Sequence, residues 1–195
     1  MPETQVQKLS VKDGLKNIYY ARLTKDDSTG VTYDTPVKLG HARKATITKE
    51  TETVTVYGDN AAVATKTRLK SLGLSIETTD IPIKDQAILL GHGYDSVTGV
   101  LTAKGDDSAP YVAVLFEATK MTGGSVFYKL CKGKFAETNE DMATQEENIS
   151  PSSPTLDGKF IVRDFDNVFY TKADSAESIS TAVTNAWYDN VEGGN

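Results

Sequence analysis

The sequence predicts a mainly β protein with one short flanking helix and a C-terminal helix, and three observations carry that prediction. Two alternating apolar runs, Tyr111 to Lys120 and Ser125 to Gly133, are joined by Met121-Thr122-Gly123-Gly124. Val112, Val114, Phe116 and Ala118 share one face of the first run, and Val126, Tyr128 and Leu130 share one face of the second, the period-two pattern of paired strands. Gly123 and Gly124 supply the positive φ that a short hairpin connection needs. A threonine-rich stretch from Arg43 to Arg68 alternates as well, and fifteen glycines tilt the composition toward turns and sheets.

Residues 1–13 are polar and read as a loose N-terminal segment. Leu15 to Leu23, with Ile18, Tyr19 and Tyr20, reads as the first strand. Lys25-Asp26-Asp27-Ser28-Thr29-Gly30 is dense in turn formers, and Val31-Thr32-Tyr33 resumes extended chain before Pro36, as a hairpin or an ordered loop. A long hairpin follows over residues 45–67. Ala45-Thr46-Ile47-Thr48 and Thr53-Val54-Thr55-Val56-Tyr57 alternate, and the chain turns at Gly58-Asp59-Asn60. Its arms carry few large apolar side chains, so the subunit's own core cannot cover their length, and such an arm either stands in solvent or docks on a neighbour.

Lys66 to Thr78 reads as another strand, with Leu72, Leu74 and Ile76 on one face. Asp80 has the chemistry of a helix cap, Pro82 that of a first-turn residue and Gly91 that of a stop, which gives a short helix over residues 80–91 with Ile83, Ala87 and Leu90 on its apolar stripe. Val100 to Ala103, Leu156 to Arg163 and Val168 to Thr171 read as further strands. Asp174 with Glu177 makes a cap, and Ala176, Ile179, Val183 and Trp187 then share one helical face. A chain of 195 residues suits one good-sized core. Residues 14–172 form that domain, and residues 173–195 form the C-terminal helix and tail.

The formal charge of -6 and a pI near 5.0 weigh against a nucleic-acid reader, which uses lysine and arginine to displace counterions from phosphates. Cys131 is the only cysteine, so no intramolecular disulfide and no cysteine-based metal site can form, and it reads as a small core residue. The longest apolar run, Tyr111 to Phe116, is too short to span a bilayer, and the first residues lack a secretory pattern, so the expectation is a cytosol-made chain without a membrane anchor. Asn148-Ile149-Ser150 then has no route to a glycan.

Catalysis needs a positioned base, nucleophile or metal. His41 and His92 are the only histidines, and neither has an acid or cysteine at metal-ligand spacing; His92, in Gly91-His92-Gly93, reads as closing a turn. Asp26-Asp27, Asp106-Asp107 and Asp164 with Asp166 lack the twelve-position calcium loop and read as solvated turns. No catalytic, cofactor-binding or metal residue is nominated, and no enzyme activity is expected. Two interaction features survive: the long hairpin tip and the acidic stretch Glu137, Glu140, Asp141, Glu146 and Glu147. Each has a plain alternative, a blunted sheet edge for the first and a solvated loop for the second.

Several stretches then add up in order: Gly14-Leu15-Lys16-Asn17 with Tyr20-Ala21, Thr29-Gly30-Val31-Thr32-Tyr33, Tyr57-Gly58-Asp59-Asn60, the helix from Asp80 to Gly91, Ala109-Pro110-Tyr111 and Lys132-Gly133-Lys134-Phe135. From about residue 12 to about residue 165 the chain resembles the major tail protein, or tail tube protein, of long-tailed bacteriophages of Gram-positive bacteria, in the group named after phage phi13. The resemblance implies a β-sandwich of tail-tube type that assembles into hexameric rings, stacked as the tube through which DNA leaves the capsid. It implies a homo-oligomer of the virion, assembled in the host cytoplasm, with tape-measure and tail-terminator or baseplate proteins as partners and with DNA passing without specific binding. No cofactor is implied. The hairpin would match the family's long loop that reaches an adjacent ring, making Val56, Tyr57, Asp59, Asn60 and Val63 inter-ring contact candidates. An acid-lined lumen repels phosphates, and Glu50, Glu52, Glu77, Glu137, Glu140 and Asp141 are the lumen candidates. The competing expectation is an immunoglobulin-like binding or adhesion module, which also uses short alternating strands.

Overall fold

A computed structural model of the chain describes residues 11–59, 61–137, 153–175 and 181–192. The elements among them are β1 (Lys12–Asp27), β2 (Gly30–Tyr33), β3 (Val37–Lys38), β4 (Ala42–Gly58), β5 (Ala61–Thr78), α1 (Ile83–Leu90), β6 (Gly93–Asp95), β7 (Val100–Thr102), β8 (Val112–Lys120), β9 (Ser125–Ala136), β10 (Thr155–Ile161), β11 (Tyr170–Asp174) and α2 (Thr181–Asn185). Every ladder is antiparallel. One sheet runs in the order β2-β1-β8-β9-β10-β5-β4, with β3 also on β1 and β11 also on β9, while β6 and β7 pair separately.

β9 divides this sheet into two layers. Val126 to Leu130 pair with β11, Lys132 to Ala136 pair with β10, and at the fork the Cys131 N–H donates to the Phe169 carbonyl at 3.0 Å. The mainly β architecture expected from the sequence is thus built from one continuous sheet folded over, and β1 approaches β4 across the open side. Ile18 and Tyr20 of β1, Leu72, Leu74 and Ile76 of β5, Val112, Val114 and Phe116 of β8 and Phe160 of β10 share the core between the layers. Each such side chain removed from water contributes about 1.5–3 kcal/mol.

The β8–β9 hairpin forms where alternation predicts it, with Gly123 at φ 86° and Gly124 at φ 82° in the turn. Both of its faces are covered. Ala113, Leu115 and Phe127 point away from the main core, and Trp187 and Val191 of the C-terminal segment pack on them. Gly133 lies under the Phe160 ring, where a Cβ would sit 2.4 Å from ring carbons, so only glycine lets that ring lie flat against the strand.

Several expectations need correction. The long hairpin and the strand expected from Lys66 are one element, because β5 runs unbroken from Ala61 to Thr78. α1 begins at Ile83 with Pro82 at the N-cap and no side-chain capping bond, so Asp80 is not the cap. Ile83 is exposed, and Asp85, Ala87, Leu89 and Leu90 form the buried stripe. Asp85 is held inward by the Tyr20 hydroxyl, which donates to its Oδ1 at 2.8 Å, while Ile83 opens the first turn on the solvent side. Gly91 does end the helix, at φ 80°. Asp174 is the last residue of β11 and meets the Lys120 ammonium. Ala176, Glu177 and Ile179 lie outside the described residues. β6, pairing with β7, is an element the sequence reading did not anticipate.

Candidate functional site

β4 and β5 stay paired from Ala42 and Thr78 to Gly58 and Ala61. β5 has a second partner only over Leu72 to Glu77, where β10 runs beside it. Beyond that point residues 51–59 and 61–69 leave the body as a two-stranded ribbon, which at ~3.4 Å per residue reaches about 30 Å. Thr53 and Thr67 hydroxyls meet at 2.9 Å across it, and Arg68 forks onto Glu52 Oε2 at 2.7 and 2.9 Å. Toward the tip the apolar side chains meet solvent: Val56 is 58% exposed, Tyr57 71% and Val63 69%. A lone two-stranded ribbon is marginally stable in water, and apolar residues on an uncovered edge invite pairing with another chain. Asp59 turns the tip at φ 49°, a left-handed conformation that aspartate tolerates.

Four of the five inter-ring candidates, Val56, Tyr57, Asp59 and Val63, therefore sit on one projecting ribbon; Asn60 lies outside the described residues. Four of the lumen candidates are described, and each lies beside a different basic side chain. Glu50 and Glu52 lie at the root of the arm. Glu50 accepts from the Ser71 hydroxyl and from Lys159 Nζ at 3.0 Å, and these bonds, the hydroxyl first, hold it below the usual carboxylate range. Arg68 does the same to Glu52. Glu77, next to last in β5, lies 3.5 Å from Arg43 Nε, and Glu137 Oε1 lies 2.6 Å from His92 Nε2. Glu140 and Asp141 lie outside the described residues.

Some polar groups are joined in ways that sequence spacing hides. His92 is held between Asp107 Oδ2, 2.9 Å from Nδ1, and Glu137, and its pKa is raised by the Asp107 bond first, against the opposing effect of burial. Lys132, on β9, bridges Asp26 at 2.7 Å and Asp164 at 2.8 Å, while Asp26 also accepts the N–H groups of Asp164 and Phe165. Arg163 forks onto Asp166 and reaches the Tyr33 hydroxyl at 3.4 Å. These pairs fasten the β1–β2 turn to the β10–β11 connection. Among the described residues no cluster of histidine, cysteine and acids could hold a metal ion, and no helix is long and apolar enough to cross a membrane.

The described residues thus form a folded-over antiparallel sheet from which an uncovered ribbon projects. The family model described as Phage tail tube protein matches residues 5–194, and the chain belongs to that family. It is a structural component of the virion tail, where subunits of this family build a multimeric tube with other tail components. No curated protein matches it.

Proposed function

We propose that the chain closes into hexameric rings and that these rings stack into the tail tube, the conduit for DNA during ejection. The arm makes the inter-ring contact through Val56, Tyr57, Asp59, Asn60 and Val63. The observation that carries this reading is the arm itself: a ribbon of about 30 Å with exposed valines and a tyrosine, beside which no third strand runs beyond Leu72 among the described residues. Tape-measure and terminator or baseplate proteins cap and gauge the stack, and assembly takes place in the host cytoplasm.

The charge balance supports a conduit. Six copies at -6 each bring a formal -36 to one ring, enough to disfavour adhesion of a polyanion to the bore. Glu50, Glu52, Glu77 and Glu137 each lie beside a basic side chain, so as lumen residues they would present a screened surface. The test is truncation of residues 53–64, followed by electron microscopy and size-exclusion chromatography. The expected result is a folded subunit that no longer polymerises. Tubes of normal length from the truncated chain would overturn the stacking role.

A further inference from the structure

At the root of the arm a cleft of about 580 Å³ opens between β1, β4, β5, β8, β9 and β11. Leu15, Ile47, Leu72, Phe116 and Leu130 contribute to its apolar lining. Three ammonium groups flank it, and each is propped on a tyrosine. Lys12 bonds the Tyr128 hydroxyl and lies 4.9 Å from that ring's centroid. Lys172 lies 5.3 Å from the same centroid. Lys49 donates to the Tyr170 hydroxyl at 3.1 Å and sits 5.0 Å from the centroid of the Tyr170 ring. No ion pair among the described residues includes any of the three lysines, and no acid lines the cleft.

The arm tip is the chemical complement. Between Glu52 and Lys66 the only charged side chain is Asp59, set among Val54, Val56, Tyr57 and Val63. We propose that the cleft receives the arm tip of a second copy, its valines and tyrosine on the apolar lining and Asp59 against Lys12, Lys49 and Lys172. This rests on the reading of the arm as the stacking contact and adds the surface that accepts it. Donor and acceptor lie on the same strand, β4, whose residues Ala45, Ile47 and Lys49 help line the cleft before the strand runs on to the tip. A contact between two different patches is heterologous, so it leaves a free tip on one copy and a free cleft on the other and can propagate from copy to copy, as a stack requires. The translation between copies is then set by the length of the arm.

Disulfide trapping between full-length chains tests this. Cys131 is buried and its thiol is pushed up to about 11, so the native cysteine stays silent. D59C protein mixed with mass-tagged K49C protein under a mild oxidant should give the mixed dimer in at least ~10-fold excess over D59C mixed with V97C, Val97 being an exposed control away from the cleft. Trapping accumulates even transient encounters, so no stable tube is needed. Equal yields with the two partners would overturn the proposal, as would dominant D59C self-dimers, which mean tip-to-tip contact. An intrachain link between K49C and Q5C would place the chain's own N-terminal segment in the cleft and also overturn it. Charge exchange gives a second reading: D59K alone and K49E/K172E alone should each lower polymer yield, and together restore it; absence of restoration counts against the cleft. If truncation of residues 53–64 abolishes tubes while trapping equals the control, the cleft assignment alone falls. If the truncated chain still forms tubes, the stacking reading falls first.

Discussion

The Lys129 ammonium lies 4.7 Å from the centroid of the Trp187 ring and donates to the carbonyls of Val191, at 3.0 Å, and Asn190, at 3.3 Å. Burial pulls its pKa below the usual lysine value, and among the described residues no carboxylate shares it. The chain thus uses one buried cation to latch its C-terminal segment onto the outer face of β8 and β9. Trp187→Ala should cost ~3–5 kcal/mol, and Lys129→Met, which keeps the stem and loses the donor, ~1–3 kcal/mol. Urea titration followed by circular dichroism measures both. Trp187 is the only tryptophan, so its emission in Lys129→Met reports release of the segment directly.

The Asp26–Lys132–Asp164 bridge should make the protein acid-sensitive in a defined window. Burial opposes ionisation of Asp26, but the Asp164 N–H, the Lys132 ammonium and the Phe165 N–H outweigh it and lower its pKa below 3.8. A lowered folded pKa gives stability that is present above the unfolded value and lost as pH falls through the folded one. Wild-type stability should therefore drop below about pH 4 more steeply than that of Asp26→Asn. At neutral pH Asp26→Ala should cost about 3 kcal/mol. Denaturant midpoints measured between pH 2.5 and 7 check both statements.

His92 runs the other way. Its pKa is raised above 6.5 by Asp107 first and Glu137 next, so its contribution is complete below the unfolded value and disappears as pH rises through the folded one. The stability gap between wild type and His92→Gln should be largest near pH 6 and close on the alkaline side. An NMR titration of the His92 ring should give a midpoint above 6.5; one at or below it would remove the argument.

The arm should be dispensable for folding. Tyr57→Asp with Val63→Asp changes two side chains that are mostly in solvent, so subunit stability should move by no more than ~0.5 kcal/mol per site while polymer yield collapses. Light scattering against concentration, with thermal unfolding alongside, separates the two effects.

Gly133→Ala should cost ~1–3 kcal/mol, because the added methyl has to displace the Phe160 ring from the strand. Phe160→Leu in the same chain should recover part of that loss if ring overlap is the cause.

The strands and the arm were legible because each announces itself locally. Alternation in Val112 to Ala118 and the Gly123-Gly124 turn specify the β8–β9 hairpin, and the scarcity of large apolar residues in Thr53 to Thr67 marks an uncovered ribbon. Of the expected α1 stripe Ala87 and Leu90 are buried and Ile83 is not, and Asp85 joins the inward face because it meets Tyr20, a partner 65 positions away. By alternation Lys129 falls on the face opposite Val126, Tyr128 and Leu130 and Lys132 on the same face as they do, and nothing local reveals that Trp187 roofs one and two aspartates clamp the other. The cleft has no local signature for the same reason: its three lysines come from β1, β4 and β11 and meet only when the sheet folds over.

The unbroken run of β5 from the tip into the body also has a mechanical meaning. A pull on the tip travels along β5 into its ladder with β10, from Leu72 opposite Phe160 to Glu77 opposite Thr155. The load lies parallel to the strands, so it shears these hydrogen bonds together instead of unzipping them singly. In the proposed stack a subunit gripped by its arm is held through the full width of that ladder, and tension passes from copy to copy through sheet, not through loop.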